Sequence, residues 1–232
     1  MLQAGPHAGG CHRIDQLLPP PLNPTAGALN GLTYSNSLFF EKELGWSGLL
    51  IEASPHNCNG LQLGRRSGRT VNLCLGICPA GEGPLEFLAG RSPATFHMVA
   101  PLPSNASAQE RAGRVRVPCR PLGHILKSLR VPALDYFSLD VEGAEALVMS
   151  TYDWSVPVHV LQWEESGSRK AVSAQMRALL KQHGMRDIGK NGLDAVFVSK
   201  EVFERVGRDG ARVAARFYIK GKNATKRCGV KK

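Results

Sequence analysis

Carboxylates close three short apolar runs in this chain. Glu52 follows Gly48-Leu49-Leu50-Ile51, Asp140 follows Tyr136-Phe137-Ser138-Leu139, and Glu164 and Glu165 follow Val160-Leu161-Gln162-Trp163. A carboxylate has two acceptor oxygens, so one side chain can take hydrogen bonds from both hydroxyls of a ribose. An acid that ends a buried strand has to find a partner, which makes it a candidate for proton transfer or cation binding. Asp140 is the sharpest case, because Glu142 and Glu145 crowd the same strand-to-helix turn. The dipole of a helix N-terminus favours negative charge there, so capping accounts for at least one of these three. Asp140 and Glu164 can also share one hard divalent cation through oxygen ligands, secondary to a metal-free site.

The elements that must position these acids are legible as short apolar runs alternating with helical segments. Ser35 or Ser37 can cap a helix carrying Leu38, Phe39, Phe40 and Leu44, which Gly45 can end. Glu52 closes the next strand, and Pro55 can open a helix running to about Arg66. Val71–Cys78 reads as a strand, and residues 79–114 as loop with short antiparallel strands. Pro121–Leu129 reads as a helix, Asp135–Val141 as a strand, Ala144–Ser150 as a helix and Val156–Trp163 as a strand. Lys170–His183 is amphipathic, and Met185–Ile188 can pair with Asp194–Val198 as a hairpin across Lys190-Asn191-Gly192. Apolar strands alternating with helices point to a mostly parallel sheet covered on both faces, with ligands at the carboxyl ends of its strands.

The chain has 232 residues and a formal net charge of +10. Residues 201–232 hold ten Lys/Arg against three Asp/Glu, so a basic tail carries +7 and the body only +3. Arg205, Arg208, Arg212 and Arg216 follow helical spacing, with Val206, Val213 and Phe217 available for the opposite side. No aromatic RNA-binding motif accompanies them, so a nucleic-acid partner is disfavoured. The start MLQAGPHAGGCHR has no apolar stretch of the secretory type and no run is long enough to span a bilayer, so a soluble cytoplasmic protein is the default. Six cysteines show no C-x-x-C pair, and reduced, mostly buried thiols are expected.

The segment GALNGLTYSNSLFFEKELGWSGLLIEASP, residues 27–55, resembles the opening of FkbM-type methyltransferases. YFSLDVEGAEALV, residues 136–148, is similar to that family's second hallmark, a hydrophobic strand followed by D-x-E-G-A-E. VNLCLGIC and VPCRPLGHIL sit where the family has its third strand and the helix before the fourth. The resemblance covers roughly residues 26–200. It implies an S-adenosylmethionine-binding, Rossmann-like class I methyltransferase sheet that ends in an antiparallel hairpin. It also implies O-methyl transfer to a hydroxylated small molecule or glycan.

Under that resemblance Gly27, Ala28, Asn30 and Gly31 form the cofactor turn, and Ser35 and Asn36 begin the helix beside the methionine moiety. Glu52 holds the ribose, Asn72 lies on the third strand near the adenine, and Asp140 sits over the methyl-transfer site with Glu142 beside it. His97, in the variable 79–114 region, is a weak alternative base and reads better as a surface histidine. The sequence departs from the family at PPPLNPTA, residues 19–26, where an apolar first strand belongs. Proline cannot donate to a central ladder, so that strand is expected to be missing or badly shortened. Asn30 stands where the family's turn carries an acid. These departures keep open a catalytically degenerate module that retains the fold as a binding or scaffold unit. The division expected is an irregular segment over 1–25, a methyltransferase-like domain over 26–200 and a basic tail over 201–232. The sequence carries no signal of oligomeric state.

Overall fold

The computed structural model describes residues 21–63, 68–79, 83–89, 96–165 and 170–207. The chain opens with β1 (Leu22–Ala26), α1 (Leu38–Leu44), β2 (Ser47–Glu52), α2 (Pro55–Leu63) and β3 (Thr70–Cys74). An excursion follows, made of β4 (Gly76–Ile77), β5 (Leu85–Ala89), β6 (Phe96–Val99), α3 (Ala108–Arg111), β7 (Arg114–Val117) and β8 (Cys119–Arg120). The second half runs α4 (Leu122–Ser128), β9 (Phe137–Leu139), α5 (Glu145–Ser150), β10 (Val160–Glu164), α6 (Lys170–Gln182), β11 (Arg186–Asn191) and β12 (Asp194–Val198). Seven strands form one sheet in the order β11-β12-β10-β9-β1-β2-β3. Its pairs are parallel from β10 to β3, and β12 runs antiparallel to both β10 and β11.

Strand periodicity decides which layer each residue joins. Leu49 and Ile51 enter the large core with Leu22, Ala26, Leu126 of α4, Met149 of α5 and Met176 of α6. Leu50, between them, points the other way and packs with Ala28 and Cys58 of α2. Phe40 of α1 stacks on Trp46 and tilts against Tyr136, each with ring centroids under 5 Å apart, at 4.8 and 4.7 Å. The start of α1 divides its duties between two serines. Ser37 is the N-cap, but its hydroxyl accepts from Thr25 Oγ1 at 2.8 Å instead of capping the helix, while Ser35 Oγ accepts from the Leu38 amide at 3.1 Å. Gly45, at φ 68°, ends that helix in the left-handed conformation glycine tolerates. The terminal hairpin pairs through Asn191↔Asp194, which puts the turn at Gly192-Leu193. Val71–Cys78 does not form one strand; it breaks into β3 and β4 at Leu75.

The expected loss of the first strand is corrected by β1. Leu22–Ala26 is buried at every position, lies between β2 and β9, and begins inside the segment read as irregular. The prolines are accommodated by parity. The Leu22 carbonyl accepts from Asp135 and Tyr136 at 3.0 and 3.3 Å, and the Ala26 carbonyl accepts from Asp140 at 3.0 Å. Residues of that parity face β9, so Pro24 does too. The opposite parity faces β2: the Pro21 carbonyl accepts from Ser47 at 2.9 Å and Gly27 donates to Ile51 at 3.0 Å. The missing donor therefore falls on the β9 side alone, and Asp135 Oδ2 takes the Leu22 amide at 2.8 Å where that side begins.

The cysteine expectation is corrected as well. Cys58 is bonded to Cys74 and Cys78 to Cys119, with Cα atoms 5.7 and 5.6 Å apart. Those separations lie in the range that disulfides require. The partners are 16 and 41 residues apart in the chain, so no local spacing announces them. Residues 200–207 are helical and dock through Val202 and Phe203 on Ile188, Val196 and Val198. Val206 is 42% exposed and is not the core-side residue expected of it. Arg205 pairs with Glu201, while Arg208, Arg212, Arg216, Val213 and Phe217 lie outside the described residues. Among the described residues, no helix is long and apolar enough to cross a membrane.

One position in β1 works against stability. Asn23 is fully buried, and among the described residues neither its Oδ1 nor its Nδ2 has a hydrogen-bond partner. A buried unsatisfied polar group costs about 1–3 kcal/mol. Asn23→Val keeps a strand-favouring shape and removes the cost, so it is expected to raise the unfolding free energy by about 1 kcal/mol or more. Urea titration of the two proteins checks this, and an unchanged or lower midpoint for the variant contradicts the account of Asn23.

Candidate functional site

The carboxyl ends of β1, β2, β9 and β10 open into one cavity of about 280 Å³. Its first wall is the turn after β1. Gly27 has φ +77°, and a Cβ built on it would lie 1.6 Å from the Asp140 carbonyl oxygen. Only glycine fits there, because both the backbone conformation and the space exclude a side chain. The amides of Gly27 and Ala28 both donate to the Ile51 carbonyl, at 3.0 and 3.1 Å. Leu29, at φ 52°, donates its amide to Glu52 Oε2 at 2.7 Å. Glu52 Oε1 accepts from the Ser54 amide at 2.8 Å. Burial raises the Glu52 pKa above the usual carboxylate range, opposed by the donors of Ser54, Leu29, Asn57 and Ala53. The amides of Leu29 and Ser54 thus fix one carboxylate oxygen each, and Asn57 and Ala53 add further donors.

The second wall is the acidic corner after β9. Asp140 faces the open cavity, and its carboxyl is pushed up to about 7. Loss of hydration is the largest cause, followed by the charges of Glu164, Glu142, Glu145 and Asp194. Glu142 sits at φ 56° and Gly143 at φ 101°. A left-handed glutamate is an uncommon conformation and is held here at the cavity edge. Glu145 is buried and structural: its Oε1 accepts from Gly143 at 3.0 Å and Val141 at 3.3 Å, closing the turn. Glu145 thus serves the turn before α5 and not a helix cap, while Asp140 and Glu142 remain in the cavity lining. Glu165 is also structural, gripped by Arg177 at 2.6 Å and by Lys190. Its bond to Arg177, above all, draws its pKa down to about 2.

A third wall comes from the antiparallel excursion. Phe96 and Met98 alternate into the cavity from β6 and Phe87 joins them from β5, its ring stacked on Phe96 at 4.8 Å. His97 has the opposite parity and does not line the cavity. Tyr34 stands at the mouth, 86% exposed and at φ 56°.

Gly27, Ala28, Ser35, Asn36, Glu52, Asp140, Glu142 and Glu164 all border this one space. Asn30, Gly31 and Asn72 are not in its lining. The Asn30 Oδ1 accepts from Leu32 and Thr33 at 3.0 and 2.8 Å, so this side chain shapes the loop. Asp194 was not anticipated. It faces Glu164 across the β10–β12 register, and Gln162, itself bonded to Tyr136 at 2.9 Å, donates to it. Two acids directly opposite in a ladder repel, and that pairing was the signal available in the sequence. Phe87, Phe96 and Met98 were also missed, because their strands were unresolved within a loop-rich stretch.

The cavity fits an adenosyl cofactor in two respects. Glu52 brings a carboxylate to the lining, and the buried Asn36 Oδ1 borders the cavity with no hydrogen-bond partner among the described residues, while its Nδ2 donates to Ser138 at 3.0 Å. Among the described residues no group of three or more His, Cys, Asp or Glu side chains is arranged to hold a metal ion, so Asp140 and Glu164 do not by themselves complete a cation cage.

This strand order, with its cavity at the point where the chain turns outward in both directions from β1 and β9, defines a class I methyltransferase fold. The match to the Methyltransferase FkbM domain spans residues 25–186, and the chain belongs to that family. Membership implies S-adenosylmethionine as methyl donor. Among solved structures, a methyltransferase FkbM from Methylobacillus flagellatus KT aligns with 16% identity and a TM-score of 0.43, over 76% of this chain and 43% of that one. The METTL16 methyltransferase domain aligns with 10% identity and a TM-score of 0.39, over 77% of this chain and 59% of that one. The chain thus spans less than two thirds of either. No curated protein matches it significantly.

Replacing Glu52 with Ala is expected to weaken S-adenosylmethionine binding by roughly tenfold or more, since at least one good hydrogen bond is lost. Calorimetric titration reads this directly, and unchanged affinity removes Glu52 from the site. Asp140 makes a second prediction. Its pKa is raised on folding, so ionising it costs stability between about pH 4 and pH 7, and that cost is fully present above pH 7. Asp140→Asn should therefore raise the melting temperature at pH 8 and leave it nearly unchanged at pH 4.

Proposed function

We propose that this chain transfers a methyl group from S-adenosylmethionine to a hydroxyl oxygen of a small molecule or glycan. The observation that carries the reading is Asp140, a cavity-facing carboxylate pushed up to about 7 between the turn after β1 and the aromatic wall of β5 and β6. The bound cofactor supplies an electrophilic methyl group, so the protein's task is alignment and removal of a proton. Asp140 accepts the proton of the acceptor hydroxyl, a role best served by a base whose pKa lies near the working pH. Glu142 and Glu164 keep that pKa high and offer acceptors to neighbouring hydroxyls of the same substrate. Phe87, Phe96 and Met98 present an apolar, partly aromatic surface on which the C–H face of a sugar or a flat ring can rest. Glu52, Ser35 and Asn36 hold the cofactor on the other side.

The degenerate-module alternative rests on two departures from the family: β1 lies in the centre of the sheet, which removes the first, while Asn30 still stands where the family's turn carries an acid.

Incubating the protein with methyl-labelled S-adenosylmethionine and a panel of glycans and hydroxylated metabolites tests the reading. Asp140→Asn should abolish transfer and still bind cofactor. In the native protein kcat/KM should be low in acid, rise with pH and level off, with its midpoint near 7, because only ionised Asp140 accepts a proton. A flat profile from pH 5 to 9, or full activity in the Asn variant, removes Asp140 as the base.

A further inference from the structure

We propose that this chain matures in an oxidising compartment and that Asn105 is a site of N-linked glycosylation. The first observation is where the disulfides lie. The excursion that builds the aromatic wall leaves the body through β4 and returns through β8, and those strands share only the pairs Gly76↔Cys119 and Ile77↔Arg120. A ladder that short does not hold itself together. Cys78–Cys119 sits at the same place and closes the base of the whole excursion, across 41 residues of chain. Closing a loop of that length removes much freedom from the unfolded chain. Cys58–Cys74 ties α2 to the end of β3, the sheet's edge strand. Neither pair has the C-x-x-C spacing of a redox-active couple, so both read as structural. Structural disulfides form and persist where thiols are not kept reduced.

The second observation is independent of the cysteines. Asn105-Ala106-Ser107 has the acceptor pattern Asn-x-Ser with a non-proline centre. Asn105 is exposed on the turn between β6 and α3, where a bulky glycan meets no packed surface. The other candidates differ. Asn23-Pro24-Thr25 is disqualified by its proline and by burial in β1, and Asn223-Ala224-Thr225 lies outside the described residues. In the folded protein Ser107 and Glu110 form a capping box at the start of α3, so the serine hydroxyl is engaged. Glycan transfer therefore precedes closure of that box.

Both steps balance with reactants of such a compartment. Each pair of thiols gives two electrons and two protons to a disulfide carrier and forms one S–S bond. The Asn105 amide nitrogen loses a proton and bonds to the anomeric carbon of a diphosphate-activated oligosaccharide, whose carbon–oxygen bond to the diphosphate breaks.

The test uses the endogenous full-length chain, isolated from its own cells with an alkylating agent present from lysis. Cys58, Cys74, Cys78 and Cys119 are expected to alkylate only after reduction. Peptide N-glycosidase in heavy-oxygen water is expected to convert Asn105 to labelled aspartate. In the same cells Asn105→Gln and Ser107→Ala should each remove a glycosidase-sensitive mobility shift, Ser107→Thr should retain it, and Asn223→Gln should leave the Asn105 label in place. Alkylation of the four cysteines without reduction overturns the compartment. An unmodified Asn105 in an oxidised chain overturns the glycan site.

Discussion

Gly27 and the Asp140 carbonyl occupy adjoining space, and no side chain can come between them. A Cβ on residue 27 would fall 1.6 Å from that oxygen, so the end of β1 and the end of β9 meet backbone to backbone. This contact brings a cofactor-side turn and an acidic corner to a common wall. Everything else about the cavity is placed relative to it. β2 delivers Glu52 on one flank, β10 delivers Glu164 on the other, and the excursion after β3 folds its aromatic strands over the opening. The sheet order supplies the geometry, because strands diverge from β1 and β9 in opposite directions and leave a crevice at their carboxyl ends.

The acids divide by what surrounds them. Glu41 is buried and accepts the Thr70 hydroxyl, which fixes α1 to β3. Glu145 closes the turn before α5, Asp135 receives the first amide of β1, and Glu165 anchors α6 and β11 through Arg177 and Lys190. Each of these is engaged by donors that tie one element to another. Asp140 differs: it is exposed to the open cavity, partly stripped of hydration and surrounded by the charges of Glu164, Glu142, Glu145 and Asp194. The buried acids Glu41, Glu145 and Glu165 thus serve the architecture, while the exposed Asp140 is crowded by like charges at the cavity wall.

Much of this was legible in the residue order. Strand ends carrying acids, the helix bounded by Ser35 and Gly45, and the final hairpin follow from local patterns that tertiary packing did not override. The reading of PPPLNPTA failed because it applied the proline rule to a whole strand, whereas in a parallel sheet alternate residues serve different neighbours. Pro24 offends only the β9 side. The cysteines were misread for a different reason. Their pairing is decided by which strand ends meet in space, and partners 16 and 41 residues apart leave no signature in local spacing. Phe87, Phe96 and Met98 escaped because short strands among glycine and proline give too few residues for a period to show.

Pro24 also leaves a mark on the sheet as a whole. β1 is registered with β2 at five positions, from Leu22↔Ser47 to Ala26↔Ile51, but with β9 only at Thr25↔Ser138 and Ala26↔Leu139. The β1–β9 seam thus has two registered pairs, extended at its ends by the bonds of Leu22 with Asp135 and Tyr136 and of Ala26 with Asp140, and it divides the sheet into two panels. Glu52 and the turn after β1 belong to one panel, and Asp140 and Glu164 to the other. A molecule that fills the cavity grips both panels at once, so its binding energy adds directly to the cohesion of the seam.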